Sequence, residues 1–188
     1  MRTLLLIRHA QPEVTPGVPA REWPLAPAGR VAARALAGRL AGAYALTRLT
    51  SSDEPKARAT AQILAAELRL SVERDAGLGE HRRERVPFLG TAAWDAAMAR
   101  FFAQQEALVL GEETAHAALD RFSAAVRRCA ARDVESDVAL VSHGTVLALF
   151  VAAHNPQVDA LAFWRALALP DLVALTLPNF HLTRAAGG

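Results

Sequence analysis

Short apolar runs alternate with helix-like segments along most of the chain, and this alternation constrains the fold more than any other feature. Residues 4–7 form a continuous apolar run that ends in polar residues, and residues 138–141 form another. Such runs are typical of central strands that are covered on both faces. Strands that alternate with helices indicate an α/β fold, with a mostly parallel central sheet and helices on both faces.

The helical segments are recognised by apolar residues at helical spacing. We predict helices over about 28–41, over a segment with Pro55 in its first turn, over about 94–108, from a cap at Thr114 or a nearby residue to about 131, and over about 145–153. The inward faces predicted for the first two helices consist of Val31, Ala35, Leu36, Leu40, Ala59, Ile63, Leu64 and Leu68. Further strands are predicted at about 46–50, 70–72, 171–177 and 180–183, and residues 77–111 are interpreted as an excursion over the top of the sheet.

Length and composition favour one globular domain that is large enough to enclose a core. The chain has 188 residues, with 21 basic and 19 acidic side chains, and Lys56 is its only lysine. This charge balance does not indicate a nucleic-acid partner. Residues 1–184 are predicted to form the domain, and 185–188 a flexible tail.

We expect a cytoplasmic protein without a membrane partner. The apolar run at residues 4–7 is much shorter than a secretion signal, and no other apolar stretch reaches the ~20 residues of a spanning helix. Cys129 stands alone at the spacing of a buried helix stripe, which favours a core thiol in a reducing compartment.

Two histidines follow predicted strands and therefore lie where α/β sheets bind ligands. His9 comes after the first strand, and His143 lies between the strand at 138–141 and a helix. Loops converge at the carboxyl ends of such strands, and helix amino termini there present free N–H groups. Both side chains can reach one crevice.

Four ordered motifs surround these histidines. They are Arg8-His9-Ala10, Ser51-Ser52 with Arg58 and Thr60-Ala61, Leu78-Gly79-Glu80, and Ser142-His143-Gly144, with Leu25 and Gly29 before the first helix as a further match. Together they resemble the histidine phosphatase superfamily, the phosphoglycerate-mutase-like group, over about residues 3–150. The resemblance implies that fold and a phosphatase that acts through a phosphohistidine on His9.

The resemblance also implies a role for each matched residue. Arg8 and Arg58 would bind the phosphoryl oxygens, and His143 would donate a further hydrogen bond. Glu80 would protonate the leaving group and then activate water, with Glu84 as the alternative acid. Ser52 is a helix cap or a phosphate donor, and Gln11 is a substrate contact or a solvated loop residue. Arg82, Arg83 and Arg85 form a basic run that attracts an anionic substrate or is merely solvated.

The pattern departs from the family at Ala10, where glycine is usual, and in the loop after Gln11, which favours a phosphatase over a mutase. A mutase-type phosphotransferase and a non-catalytic phosphate-binding member of the same fold remain the alternatives. A small phosphorylated substrate is expected, and a phosphoprotein is possible. The remaining histidines show no metal-ligand spacing, so we predict no metal and no cofactor. Aromatic residues at 94, 101, 102, 163 and 164 are candidates for a partner surface or for the core.

Overall fold

A six-stranded sheet forms the centre of the computed structural model, which describes residues 2–87, 89–132 and 134–184. Its strands are β1 (Thr3–Arg8), β2 (Leu46–Ser51), β3 (Ser71–Arg74), β4 (Asp137–Ser142), β5 (Asp171–Thr176) and β6 (Leu182–Arg184). The order is β3-β2-β4-β1-β5-β6. Strands β3, β2, β4 and β1 are parallel, while β5 pairs antiparallel with β1 and β6 antiparallel with β5. The α/β fold with a mostly parallel sheet is confirmed, and the predicted tail at 185–188 lies outside the described residues.

Six α-helices are described. They are α1 (Pro27–Leu40), α2 (Pro55–Leu68), α3 (Thr91–Ala103), α4 (Ala115–Ala131), α5 (Gly144–His154) and α6 (Ala160–Ala166). The predicted cap of α4 is confirmed, because the Ala117 amide donates to Thr114 Oγ1 at 3.0 Å. Within the described ranges, no helix combines the length and the apolar character needed to cross a bilayer.

The apolar run of β1 is explained by two cores, one on each face of the sheet. Leu4 and Leu6 pack with the helices α4 and α5, whereas Leu5 and Ile7 pack with α1 and α2. Because successive side chains of a strand point to opposite faces, a strand covered on both faces needs apolar residues at every position. All four of these side chains are fully buried.

The predicted inward face of α1 was wrong in part. Val31 is 66% exposed and Ala35 is also exposed, while Ala33 and Ala37 are buried beside Leu36. The helix is rotated because Gly29 packs under the loop after β1, where an added Cβ would lie 2.3 Å from the Gln11 carbonyl oxygen. In α2, Leu64 is buried as predicted, but Ala59, Ile63 and Leu68 are only half-buried.

Two helices differ from the sequence prediction. Helix α3 ends at Ala103, five residues before the predicted end, and α6 was not predicted. The first turn of α6 is capped by Asp159, whose Oδ1 accepts from the Ala162 amide at 2.7 Å. Phe101, Phe102 and Phe163 are buried in the core and form no partner surface.

Strand register brings the motif residues to one edge of the sheet. Arg8, the last residue of β1, is level with Ser142, the last of β4, and Ser51 at the end of β2 is level with Val141. Parallel strands end on the same side of a sheet. The residues that follow these three strands, including His9, Ser52 and His143, therefore meet at this edge.

Candidate active site

A cavity of about 790 Å³ lies at this edge, on the carboxyl side of the parallel strands. It is lined by His9, Arg8, Glu80 and residues from the loops after β1, β2 and β3. All three tryptophans of the chain and its only lysine also line it. The volume is within the ~300–1,000 Å³ that is usual for sites that take small organic molecules.

His9 is held in one tautomer by its own neighbour. Its ring is only 6% exposed, and Nδ1 lies 2.8 Å from the carbonyl oxygen of Ala10. A carbonyl oxygen can only accept, so Nδ1 carries the proton and Nε2 has the free lone pair. The backbone is fixed as well, since the His9 amide donates to the Ser142 carbonyl at 2.9 Å and the Ala10 amide to Thr60 Oγ1 at 3.0 Å.

His143 lies directly against His9. The two ring centroids are 5.1 Å apart, with an interplanar angle of 60°. His143 is fully buried at the N-cap of α5, and its Nε2 lies 2.8 Å from Ser52 Oγ and 3.3 Å from Glu54 Oε1. Its Nδ1 is buried and has no hydrogen-bond partner among the described residues. The structure therefore brings the two distant imidazoles to one site.

Burial and nearby cations lower the pKa of both imidazoles. Burial lowers the pKa of His9 well below its usual value, and His143 and Lys56 lower it further. Burial and then Lys56 lower the pKa of His143 in the same direction. A buried imidazole that is surrounded by cations binds a proton weakly, which favours the neutral ring with a free lone pair.

Arg8 presents a desolvated guanidinium beside the histidines. Its Nη1 donates to the Leu167 carbonyl at 2.6 Å, and its Nε is buried without a hydrogen-bond partner among the described residues. The guanidinium packs against Gly144, where an added Cβ would lie 3.1 Å from Nε. Glycine at this position allows the guanidinium to approach the amino terminus of α5. A buried donor without a partner indicates a place for an anionic ligand.

The second cation of the cavity is Lys56, and the prediction that Arg58 occupies this place is corrected. Arg58 is exposed on α2 and does not line the cavity, whereas Lys56 lines it and is only 5% exposed. The Lys56 ammonium donates to the Ala20 carbonyl and to Glu54 Oε2, both at 2.6 Å. Helical geometry separates the two cations, because residues two apart in an α-helix lie on different faces.

Glu80 lies at the amino end of α5, and Glu84 does not. Glu80 Oε2 accepts from the Thr145 amide at 3.3 Å and lies 3.5 Å from Arg83 Nη2. Burial alone would raise the pKa of Glu80, but Arg83, His143 and the His81 amide hold it well below its ordinary value. Glu84 also lines the cavity, but its exposed carboxylate pairs with Arg21. The geometry favours Glu80 as the carboxyl group beside the histidines.

The structure also places Ser52, Gln11 and Ala10, which the sequence analysis named at or beside the site. Ser52 is fully buried, and its Oγ makes two contacts. It lies within hydrogen-bond distance of His143 and accepts from the Glu54 amide at 3.2 Å. Gln11 lines the cavity and is exposed. Ala10 is fully buried with Leu25 and Ala33, and its φ is not positive, so the alanine fits where the family has glycine.

Sequence reasoning missed Glu54 and Lys56. Glu54 Oε1 accepts from the Glu80 amide at 2.9 Å, so this carboxylate connects the loops after β2 and β3. A signal for Lys56 was available, because it precedes Thr60 by four residues and shares its helix face, which the bond from Thr60 Oγ1 to the Lys56 carbonyl confirms. The sequence also allowed the alternative that Glu80 is an exposed loop carboxylate paired with Arg82 or Arg83, and the structure places Arg83 Nη2 3.5 Å from Glu80 Oε2, with this carboxylate largely buried.

Comparison with protein families agrees with this arrangement. The model of the histidine phosphatase superfamily (branch 1) matches residues 4–182. The chain belongs to the histidine phosphatase superfamily. No curated protein matches the sequence significantly.

Solved structures with the same fold include several members of this group. A mycobacterial glucosyl-3-phosphoglycerate phosphatase in complex with VO3 is 24% identical, with a TM-score of 0.78 and 100% of each chain covered. Bacillus stearothermophilus YhfR is 22% identical, with a TM-score of 0.80 and coverage of 100% of this chain and 97% of the other. A mutant phosphoserine phosphatase from Entamoeba histolytica in complex with phosphoserine is 16% identical, with a TM-score of 0.79 and coverage of 100% and 98%. At these identities the likeness establishes the fold.

Replacing Lys56 and Arg58 separately with glutamine tests which of the two cations faces the ligand. We predict that Lys56→Gln raises the dissociation constant of inorganic phosphate about tenfold or more, because a charge-assisted hydrogen bond is lost from a desolvated site. Arg58→Gln removes the same charge from an exposed position and should change it by less than about twofold. Calorimetric titration with phosphate measures both, and denaturant unfolding checks that the variants fold. Equal losses in the two variants would contradict the assignment.

Proposed function

We propose that this protein is a phosphatase that hydrolyses a small phosphomonoester through a phosphohistidine on His9. The observation that carries the proposal is the tautomer of His9: Nδ1 is bound to the Ala10 carbonyl, which leaves Nε2 as a neutral nucleophile in a cation-lined cavity. A neutral imidazole with a free lone pair is the form that attacks phosphorus. The proposal assigns no step to a metal or cofactor.

The first step transfers the phosphoryl group to the protein. His9 Nε2 forms a bond to phosphorus while the bond from phosphorus to the leaving oxygen breaks, and Glu80 gives its proton to that oxygen. In the second step water attacks the phosphohistidine, Glu80 takes a proton from the water, and the P–N bond breaks. Inorganic phosphate, neutral His9 and protonated Glu80 result, so the cycle closes.

The cations supply most of the stabilisation. Phosphoryl transfer passes through a loose transition state whose charge is spread over three equatorial oxygens. The unpaired Nε of Arg8 and the ammonium of Lys56 are donors of the required sign, held in a water-poor site. His143 contributes from Nδ1, which carries a proton when Ser52 donates its hydroxyl hydrogen to Nε2. These groups are in place before the substrate arrives.

Glu80 acquires its acid role when the substrate binds. In the empty site, Arg83, His143 and the His81 amide outweigh burial and keep the pKa of this carboxyl low. A phosphoryl dianion that binds beside it raises that pKa, because a like charge disfavours the carboxylate and draws Arg83 away. The proton taken up on binding is then available for the leaving group.

The substrate class follows from the cavity and from the related structures. The cavity has room for a phosphoryl group and a small organic leaving group. Two proteins of the same fold are a glucosyl-3-phosphoglycerate phosphatase and a phosphoserine phosphatase, which supports a small phosphorylated metabolite. Because the lone thiol of Cys129 suits a reducing compartment, the proposed site of action is the cytoplasm.

Trapping the intermediate tests the proposal. Incubation with a labelled phosphomonoester, followed by an alkaline quench that preserves phosphohistidine, should leave label on the wild-type protein and none on His9→Ala. His154→Ala is a matched control, because that histidine packs on Phe150 in the core and not at the cavity. Turnover of a phosphomonoester that persists in His9→Ala would refute the nucleophile.

Leaving-group dependence tests Glu80. We predict that Glu80→Gln slows hydrolysis of an alkyl phosphate about 100-fold or more but that of nitrophenyl phosphate far less, because nitrophenolate leaves without protonation. The same comparison on Glu84→Gln should show no such difference. Rates measured at saturating substrate for both esters decide the matter. If Glu80→Gln slowed the hydrolysis of both esters equally, the acid role would belong to another carboxyl group.

A further inference from the structure

The outer part of the cavity carries an arginine pair that the proposed chemistry does not use. Arg82 and Arg85 belong to the loop after β3 and both line the cavity. Their side chains are exposed, so bulk water alone could solvate them. The way the loop is held and the way the neighbouring charges are paired point to a more specific role.

Two acidic residues hold the backbone of this loop. The Arg82 amide donates to Glu113 Oε1, and the Arg85 amide donates to Glu112 Oε1, each at 2.9 Å. The Glu84 amide donates to the other oxygen of Glu112, also at 2.9 Å. Three backbone amides of the loop are thereby bonded to the two carboxylates that precede α4. The loop is built as a preorganised part of the cavity wall.

Close packing at Gly111 supports this conclusion. Gly111 has a φ of +77°, and an added Cβ would lie 2.2 Å from the Arg82 carbonyl oxygen. The same carbonyl accepts from the Glu112 amide at 2.9 Å. Glycine is required here both by the backbone conformation and by the contact. The two loops therefore pack backbone to backbone, with little freedom for residues 82–85 to move.

Charge pairing leaves the two arginines uncompensated. Glu112 accepts from two loop amides, and Glu113 pairs with Arg121, while Glu84 pairs with Arg21. Among the described residues, no carboxylate forms an ion pair with the guanidinium of Arg82 or Arg85. An anion that binds at this loop would supply the counter-charge that these guanidinium groups lack.

Aromatic surface adjoins this cationic wall. Trp94 and Trp164 line the cavity with ring centroids 6.4 Å apart, and the Arg83 guanidinium lies 5.0 Å above the Trp94 ring. These aromatic rings suit the carbon skeleton of an organic leaving group.

We propose that Arg82 and Arg85 form a second anion-binding subsite, and that the substrate is a phosphomonoester whose leaving group carries a second anionic group. This inference rests on the proposed function and names the substrate class of the same cavity. The guanidinium forks bind the oxygens of a carboxylate or of a second phosphate while His9 receives the first phosphoryl group. An uncharged leaving group lacks this contact.

Three ligands with one three-carbon skeleton test the subsite. Glycerol 3-phosphate has no second anion, 3-phosphoglycerate has a carboxylate, and glycerol 1,3-bisphosphate has a second phosphate. We expect kcat/KM for the two doubly anionic esters to exceed that for glycerol 3-phosphate about tenfold or more, as the loss of a charge-assisted hydrogen bond suggests. Arg82→Gln combined with Arg85→Gln should abolish the preference, and the corresponding lysine pair should restore part of it.

Matched controls separate this subsite from general charge effects. Arg30→Gln with Arg100→Gln removes the same net charge from exposed positions that do not line the cavity and should leave the preference intact. A preference for only one of the two doubly anionic esters identifies the anion as carboxylate or phosphate. Equal kcat/KM for all three, or an undiminished preference in the Gln pair, overturns the subsite.

Binding to a variant that cannot turn over distinguishes failure of the subsite from failure of the function. Calorimetric titration of His9→Ala should show that the two doubly anionic ligands bind more tightly than glycerol 3-phosphate. Adding Arg82→Gln and Arg85→Gln to His9→Ala should abolish this difference in affinity. A preserved difference in affinity with no hydrolysis by the wild-type protein would leave the subsite standing and refute the phosphatase. Hydrolysis by the wild-type protein with equal affinities and equal rates for the three ligands would refute the subsite and leave the phosphatase standing.

Discussion

The hydrogen bond between His9 Nδ1 and the Ala10 carbonyl is the interaction on which the site depends. It selects the tautomer, and burial, with the second imidazole close by, lowers the pKa of the ring. Neither effect would suffice alone, because an exposed imidazole titrates near neutral pH and a buried ring without this acceptor has no preferred tautomer. The sheet makes both possible: β1 and β4 run parallel and in register, so the residues that follow them meet at one edge.

Cations in the cavity are paired with carboxylates, and a bound anion can take the place of a carboxylate partner. Lys56 is bound to Glu54, and Arg83 lies near Glu80. A buried cation without a counter-ion would cost several kcal/mol, so the empty site is stabilised by its own carboxylates. In the mechanism we propose, a phosphoryl group brings negative charge to the same cations and leaves the Glu80 carboxyl group free to accept a proton. On that proposal, the pairing that stabilises the ligand-free protein also prepares the acid for the reaction.

Much of the fold could be predicted because its signals are local. The apolar runs of β1 and β4, the Thr114 cap and the position of His9 and His143 after strands all follow from neighbouring residues. Other features depend on contacts between distant segments. The close approach of Gln11 to Gly29 decides which side of α1 faces inward. The rotation of α2 decides that Lys56, and not Arg58, lines the cavity. The partnership of Glu54 with Glu80 and His143 joins three loops, and no local pattern encodes it.

The protonation state of His9 tests the central claim most directly, and nitrogen NMR of the histidine side chains measures it without any substrate. The account predicts that between about pH 5.5 and 8 the His9 ring stays neutral, with the proton on Nδ1 and an unprotonated Nε2, because its pKa lies well below the ordinary ~6.5. A His9 ring that carries its proton on Nε2, or that becomes an imidazolium near pH 6.5, would contradict the account.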